Sequence, residues 1–286
     1  PNDMRRDVSI TMTGSNGKGV EKLIPFVPNS KAEGGGLTLN KWDENRQANP
    51  WVAAQRKSGI NGPYMRMSEV YLGYAEVCAA LGDVVTGKQY LKTVRERSFP
   101  QGLADTDGFI ASFGNDLVRA IIEERGFEYA GEGDRRWTLI RSGYLPEDIK
   151  RIKDMTKAMM DGLATKGYYE FENGNIISAY IWTKLVDAKT IYGHRLTAQC
   201  PMDKVNDPVL YPGWRGQKDN WEEMGLNYGN SAPATNLAIK GLFEIVSEEE
   251  AASLESQGYA KVNWGIDLVD YRDEYDKYLF WDYDYV

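Results

Sequence analysis

The sequence predicts a mainly α protein, with paired helices of tetratricopeptide size, long loops and one small β-hairpin. Three observations lead there. Apolar residues recur at helical spacing through most of the stretch from Tyr64 to Ala164. Gly, Asp and Pro punctuate that stretch at helix-length intervals. Only beyond Gly167 does the period fall towards two, and there Asn173-Gly174 stands between β-favouring runs, a strong local sign of a hairpin.

The elements follow in order. Residues 1–62 are rich in Gly, Asn, Pro and Ser, with GSNGKG and EGGG between short apolar pieces, and read as loops with a few short strands. Pro63 suits a first helical turn. The helix after it, over 64–81, carries apolar residues on nearly every face, as a buried helix does. Gly82 and Asp83 end it, and TGKQYLKTVRERSF (86–99) forms a second helix. The two make a hairpin of about 34 residues, the size of one tetratricopeptide unit. After a turn at DTDG (105–108) the pattern predicts a third helix over 112–130 and a short one over 134–142. Pro146 starts another, to about 164, with Ile149, Ile152, Met155, Met159 and Met160 on one face. The hairpin of 168–182 comes next, then a loop-like stretch over 197–235, a helix over about 236–256 and an acidic, aromatic tail.

The bulk numbers narrow the function classes. The 286 residues are 42% hydrophobic and 12% aromatic, enough for a sizeable core. A formal net charge of -8 argues against nucleic acid, which calls for a basic stripe. No apolar run approaches the roughly eighteen residues of a membrane helix. Cys78 and Cys200 are too few for a disulfide framework, though one bridge remains open. His194 is the only histidine, so histidine metal sites and Ser-His-Asp triads have almost no material. Asp105-x-Asp107-Gly108 has the opening of a calcium loop, but no Glu closes it. The acids of the tail, Asp276, Asp282 and Asp284, read as a solvated edge or an interface rather than a metal site. We therefore expect neither a metal nor a cofactor. The chain opens PNDMRRD, with no initiator Met, apolar leader or lipidation Cys, and is expected to be the downstream part of something longer.

The charges of ERGFEYAGEGDRRWTLIR (124–141) are the most informative. Glu124, Glu128 and Glu132 fall four apart, among Arg125, Arg135, Arg136 and Arg141. Acids at that spacing repel on a helix by a few tenths of a kcal/mol, so cations must come from elsewhere. Arg66, Arg95 and Arg97 are in reach on neighbouring helices. Glu69 and Glu76, on an otherwise apolar helix, need partners as well. Glycoside hydrolysis would instead need two acids across a cleft, about 5–9.5 Å apart, and sequence spacing leaves that open. The surrounding arginines depress carboxylate pKa values, so the cluster is read as a partly buried structural network, not a catalytic pair.

These residues also carry a family resemblance. Glu124-Arg125, Glu128, Glu132-Gly133, Arg135, Leu139 and Arg141 resemble the signature of the SusD/RagB family of outer-membrane nutrient-binding lipoproteins of Bacteroidetes. Thr138 replaces the signature's aspartate, and the pair it made is expected to be lost. Arg66, Ser68-Glu69-Val70, Leu72 and Tyr74-Ala75-Glu76 are similar to the family's Arg-Tyr-Ala-Glu-Val helix, with Ser68 for Ala. Leu91 with Val94-Arg95-Glu96-Arg97 is similar to its Leu-Asn, Val-Arg-x-Arg helix, with Lys92 for Asn. The three blocks lie in order over 65–141; the tail lacks the family's Asn-Pro-rich ending. The resemblance implies a SusD-like α-rich fold with tetratricopeptide-like helix pairs. It implies a non-catalytic surface lipoprotein that captures glycan, or in some members peptide, above a SusC-like TonB-dependent transporter. It places residues 1–286 as one C-terminal region, with the N-terminal half, the anchor included, missing. The network of Arg66, Glu69, Glu76, Arg95, Glu124, Arg125, Glu128, Glu132, Arg135 and Arg141 would hold the helices together rather than touch ligand.

Recognition would then fall to aromatic connectors. A sugar stacks its apolar face on a ring while amides, carboxylates and arginines take the hydroxyls, in a cleft with a few convergent polar groups. KWDENRQANPWVAAQR places Trp42 and Trp51 around Asn45, Arg46, Gln47 and Asn49. LYPGWRGQKDNWEEMGLNY places Tyr211, Trp214, Trp221 and Tyr228 around Arg215, Gln217 and Asn220. Trp51 is the better candidate of the first pair, since Lys41-Trp42 falls where the family tends to have a structural Lys-aromatic pair. The rival reading of each ring is a pin for a long loop. Two further functions stay in play: a glycan hydrolase using two of the acids, and a helical protein that binds peptide or another subunit.

Overall fold

The computed structural model describes residues 3, 5, 9–11, 13–15, 21–23, 38–39, 41, 62–99, 101–187 and 235–266. The chain is mainly α, with small antiparallel sheets. It divides into two compact units, Pro1–Ser9 with Asn61–Arg151 and Ile10–Ile60 with Ile152–Val286.

The first unit contains α1 (Met67–Ala80), α2 (Val84–Glu96), α3 (Thr106–Ala111), α4 (Leu117–Glu128), α5 (Asp134–Ser142) and the first turns of α6 (Leu145–Lys166). Three of these helices are capped by an aspartate. Asp83, Asp105 and Asp116 accept hydrogen bonds from the backbone N–H groups of Thr86, Gly108 and Arg119. Each satisfies an otherwise orphaned donor and sets negative charge at the positive end of the helix. The core joins Leu72 and Ala75 of α1, Leu91 and Val94 of α2, Ile110 of α3, Leu117, Ala120 and Ile121 of α4, and Tyr129. Gly87 lets these helices approach closely. A Cβ there would meet the Ala75 carbonyl oxygen at 3.0 Å and the Leu117 side chain at 3.1 Å.

Three expectations are corrected in this unit. The helix read as buried all round is covered on one side only. Ser68, Leu72, Ala75 and Cys78 of α1 are buried, whereas Val70, Tyr74 and Val77 are 49%, 51% and 54% exposed. Two apolar stripes on one helix look, in sequence, like burial everywhere. The helix expected over 112–130 is shorter and starts only at Leu117, as α4, with turn residues over 112–116 separating it from α3. Gly114 and Asn115 adopt left-handed φ of 65° and 66° between them, which an α-helix does not tolerate. The DTDG segment is not a turn ahead of that helix but the cap and first turn of α3. Cys78 is free and buried; Cys200 lies outside the described residues.

The second unit carries the sheets. β1 (Ile10–Thr11) pairs with β4 (Thr38–Leu39), and β2 (Thr13–Ser15) with β3 (Glu21–Leu23). β5 (Tyr168–Glu170) and β6 (Ile176–Ser178) form the expected hairpin, with Tyr168 opposite Ser178. Its turn holds Gly174 at φ 77°, and the Asn173 side-chain oxygen accepts from Asn175 N–H at 3.1 Å. β7 (Tyr180–Asp187) lies between β8 (Thr235–Lys240) and β9 (Ala260–Asn263) in a three-stranded antiparallel sheet. Successive residues point to opposite faces of a strand, so Ile181 packs with Leu242 and Trp182 with Ala238, Leu254 and Tyr259. α7 (Glu248–Ser256) supplies Leu254 to that second cluster. The helix expected over 236–256 is thus a strand followed by a shorter helix. Gly241 breaks the chain at φ 80°, and Ser247 with Glu250 forms a complete capping box, which starts α7 where it does. The tail acids lie outside the described residues.

Candidate functional site

The described part of the candidate site is the acid–arginine cluster of the first unit. α4 presents Glu124 and Glu128 on one face, and the turn after it presents Glu132. Glu124 is fully buried, and Glu128 is 2% exposed. Three chain segments converge on them. Arg5 donates from Nη1 to Glu124 at 2.6 Å and to Glu128 at 3.1 Å, and Asp3 holds that guanidinium at 2.6 Å. Arg95 of α2 donates to the other Glu124 oxygen at 2.6 Å. Arg66, just ahead of α1, donates to Glu128 at 2.6 Å and to Glu132 at 2.8 and 3.0 Å. Arg97 also pairs with Glu128.

Burial sets the electrostatics here, and the arginines oppose it. Burial pushes Glu128 up, but the hydrogen bonds and charges of Arg97 and Arg66 outweigh that and hold its carboxyl at about 2. Burial pushes Glu124 above the ordinary carboxylate value, with Arg5 and Arg95 pulling it back. Burial also disfavours the charge of Arg66, yet Glu132 and Glu128 raise it beyond its normal value. Beside them Tyr129 is 5% exposed, its hydroxyl donates to Ser68 at 3.2 Å, and burial pushes it up to about 12. Arg66 and Arg125 lie over its ring at 4.8 and 5.1 Å, within cation–π range.

The remaining arginines of the signature bind elsewhere. Arg135 donates to Glu123 at 2.9 Å, to Asp148 at 2.7 Å and to the Ile122 carbonyl at 3.0 Å. Arg119 and Arg151 reach the same fully buried Asp148, at 3.0 and 2.9 Å. Burial raises the pKa of Asp148, but Arg151 and Arg135 bring it below the usual value. Arg141 binds Glu76 through Nη2 at 2.9 Å, tying α5 to α1. Arg125 bonds Asp134 at 2.7 Å and lies 3.7 Å from Glu69. Thr138 does not leave a gap where the signature has aspartate. Its hydroxyl accepts from Arg125 Nε at 3.2 Å and donates to Asp134 at 2.8 Å, so Asp134 supplies the charge one turn earlier.

The structure therefore brings Arg66, Arg95, Glu124, Glu128 and Glu132 into one cluster. It places Glu69 with Arg125, Glu76 with Arg141, and Arg135 in a second cluster. Sequence reasoning missed Arg5, Asp134, Arg119, Glu123, Asp148 and Arg151. Arg119–Glu123 and Asp148–Arg151 have helical pair spacing and were findable. Arg5 had no signal, because 119 residues separate it from Glu124. Asp105 and Asp107, weighed as a calcium loop, cap α3 and pair with Lys88. The ligand candidates Trp42, Asn45, Arg46, Gln47, Asn49, Trp51, Tyr211, Trp214 and Trp221 lie outside the described residues.

Acids sealed from solvent and shared between arginines of distant segments define a scaffold, one whose helices are tied at fixed spacing. The sequence model of the SusD family matches residues 9–212, and the chain belongs to that family. Its members are nutrient-binding proteins associated with the outer membrane. No curated protein and no solved structure matches the chain.

Proposed function

We propose that this protein is a non-catalytic glycan-binding member of the SusD family. It captures oligo- or polysaccharide at the cell surface and passes it to a SusC-like TonB-dependent transporter. Family membership over residues 9–212 carries this reading. The buried acid–arginine cluster supports its non-catalytic part. A glycosidase needs its two carboxylates on either side of the scissile bond, with room for substrate. Glu124 and Glu128 are 0% and 2% exposed and their oxygens are taken by guanidinium groups, so no glycosidic bond fits between them.

In this reading the network fixes the helices, and the connectors bind. Trp51 is the foremost platform, with Trp42, Asn45, Arg46, Gln47 and Asn49 around it. Trp214, Tyr211 and Trp221 form a second aromatic group. Affinity electrophoresis of the full chain against a glycan panel tests the reading. Retardation by at least one glycan is expected, and Trp51→Ala should reduce it. Release of reducing ends from a bound glycan would replace binding by hydrolysis. Retention of library peptides, with no glycan retained, would replace glycan by peptide as the ligand.

A further inference from the structure

We propose that the lysine-bearing face of the β8–β7–β9 sheet is a subsite for acidic saccharide, a glycan chain that carries several carboxylate or sulfate groups. The inference rests on the glycan reading above and narrows it to a charge class, on residues that reading does not use.

The pairing register builds the site. Trp182 of β7 stands directly opposite Lys240 of β8 and Lys261 of β9. Residues two apart on a strand share a face, so Lys184 and Tyr180 flank Trp182 on that same face. Leu254 of α7 and Tyr259 pack against the indole, which is 3% exposed. Three lysines therefore surround one buried tryptophan.

Each lysine lays its ammonium against a ring. Lys261 Nζ lies 4.5 Å from the centre of the Tyr180 ring and 5.9 Å from that of Trp182. Lys240 and Lys184 share the Tyr259 ring, at 5.0 and 5.8 Å. Lys184 also donates to the carbonyl of Gln257 at 2.6 Å, the residue that caps the C-terminal end of α7. The charges are thus held in position before any ligand arrives, which lowers the entropy cost of binding.

The missing countercharge points to an anion. Lys88 and Lys92 pair with Asp107 and Glu96, and the arginines of the first unit are shared among acids. Lys184, Lys240 and Lys261 reach no carboxylate among the described residues; they contact rings and one carbonyl. Like charges gathered on one face repel, and three uncharged stems would cover the tryptophan as well. Spacing selects the kind of anion. Neighbouring strands lie about 4.8 Å apart, so Lys240 and Lys261 leave the sheet about 10 Å apart, with Trp182 between them. Their ammonium groups rest on different rings, so one carboxylate does not span them. A chain with charges on successive units does. Tyr180, 40% exposed, gives a sugar ring beside Lys261 an aromatic surface to rest on. Lysine is a strongly hydrated point charge without the bidentate fork of arginine, which suits a ligand that is held and then released.

The test is isothermal titration of the full chain with hexagalacturonate, hexamannuronate and a heparin hexasaccharide, and with maltohexaose and cellohexaose as neutral probes. At least one acidic probe should bind, with a Kd that rises as added salt screens the charges. Lys240→Gln with Lys261→Gln should raise that Kd about tenfold. Lys240→Arg with Lys261→Arg keeps both charges and should stay within about threefold of the parent. Thermal melts check that each variant folds, and the single substitutions, each expected to show part of the loss, serve if the glutamine pair does not. Equal loss in the arginine and glutamine pairs, or an acidic Kd that neither pair changes, overturns the subsite. A parent that binds neutral hexaoses alone also overturns it, and leaves the glycan reading standing. A parent that binds no probe of either class overturns both.

Discussion

Glu128→Gln is the substitution that tests the scaffold most directly. The side chain is 2% exposed and pairs with Arg66 at 2.6 Å, Arg5 at 3.1 Å and Arg97. Its carboxyl sits at about 2 against an ordinary 4.5. At about 1.4 kcal/mol per pH unit, that gap corresponds to about 3 kcal/mol of native-state preference for the charged form. Removing one member of a buried pair costs about 3–5 kcal/mol in other proteins, and the glutamine amide oxygen keeps part of the hydrogen bonding, so about 3 kcal/mol is consistent from both sides. For a chain of this size each kcal/mol lowers Tm by about 2–4 °C, so a drop of about 10 °C is expected at pH 7. The pH dependence has a definite sign. A carboxyl held below its unfolded value stabilises above pH 4.5, and that stabilisation is lost as pH falls towards about 2. Thermal melts by circular dichroism between pH 7 and pH 2 should show the gap between parent and variant closing through that window. A variant within about 2 °C of the parent at neutral pH, a change under about 1 kcal/mol, would refute the assignment of Glu128 as a structural acid.

Other substitutions test neighbouring parts of the same argument. Thr138→Val removes the hydroxyl that joins Arg125 to Asp134, and should cost about 1–3 kcal/mol in urea unfolding. Gly87→Ala sets a methyl 3.0 Å from the Ala75 carbonyl, and should cost about 1–3 kcal/mol by overpacking in the same assay. Ser247→Ala breaks the capping box of α7 and should lower stability by about 1 kcal/mol. Arg5→Gln leaves Glu124 with Arg95 and should lower Tm, while reducing-end assays on any bound glycan stay at background.

The helical part of the fold was legible because its punctuation is local. Gly82-Asp83, Gly131, Gly133 and Gly143 mark ends that a 3.6-residue pattern alone would blur. Where reading failed, two local signals competed. Residues 236–256 are apolar enough for a helix, yet TNLAIK finds β7 to pair with, and only a distant strand decides that. Residues 112–130 were read through Gly114-Asn115, although Asp116 is a cap as clear as Asp83. In the acid cluster, the need for outside cations followed from Glu124 and Glu128 being four apart. Which cations answered it was half visible. Arg66, Arg95 and Arg97 belong to recognisable blocks, while Arg5, which is helical in the structure, stands in a stretch whose sequence reads as loop, with nothing to tie it to α4.

That Arg5 belongs to the cluster changes what the cluster is. Glu124, with Arg95 as its other bonded partner, binds α2 to α4, and Arg66 on Glu128 and Glu132 binds the start of α1 to the end of α4. Those ties act within one stretch of about 70 residues, the scale of a pair of helical hairpins. Arg5, from far upstream and oriented by Asp3, adds a third guanidinium-bearing segment to the same two acids. A buried acid left with one guanidinium fewer is costly, so the first-unit helices reach full stability only with residues 3–5 in place.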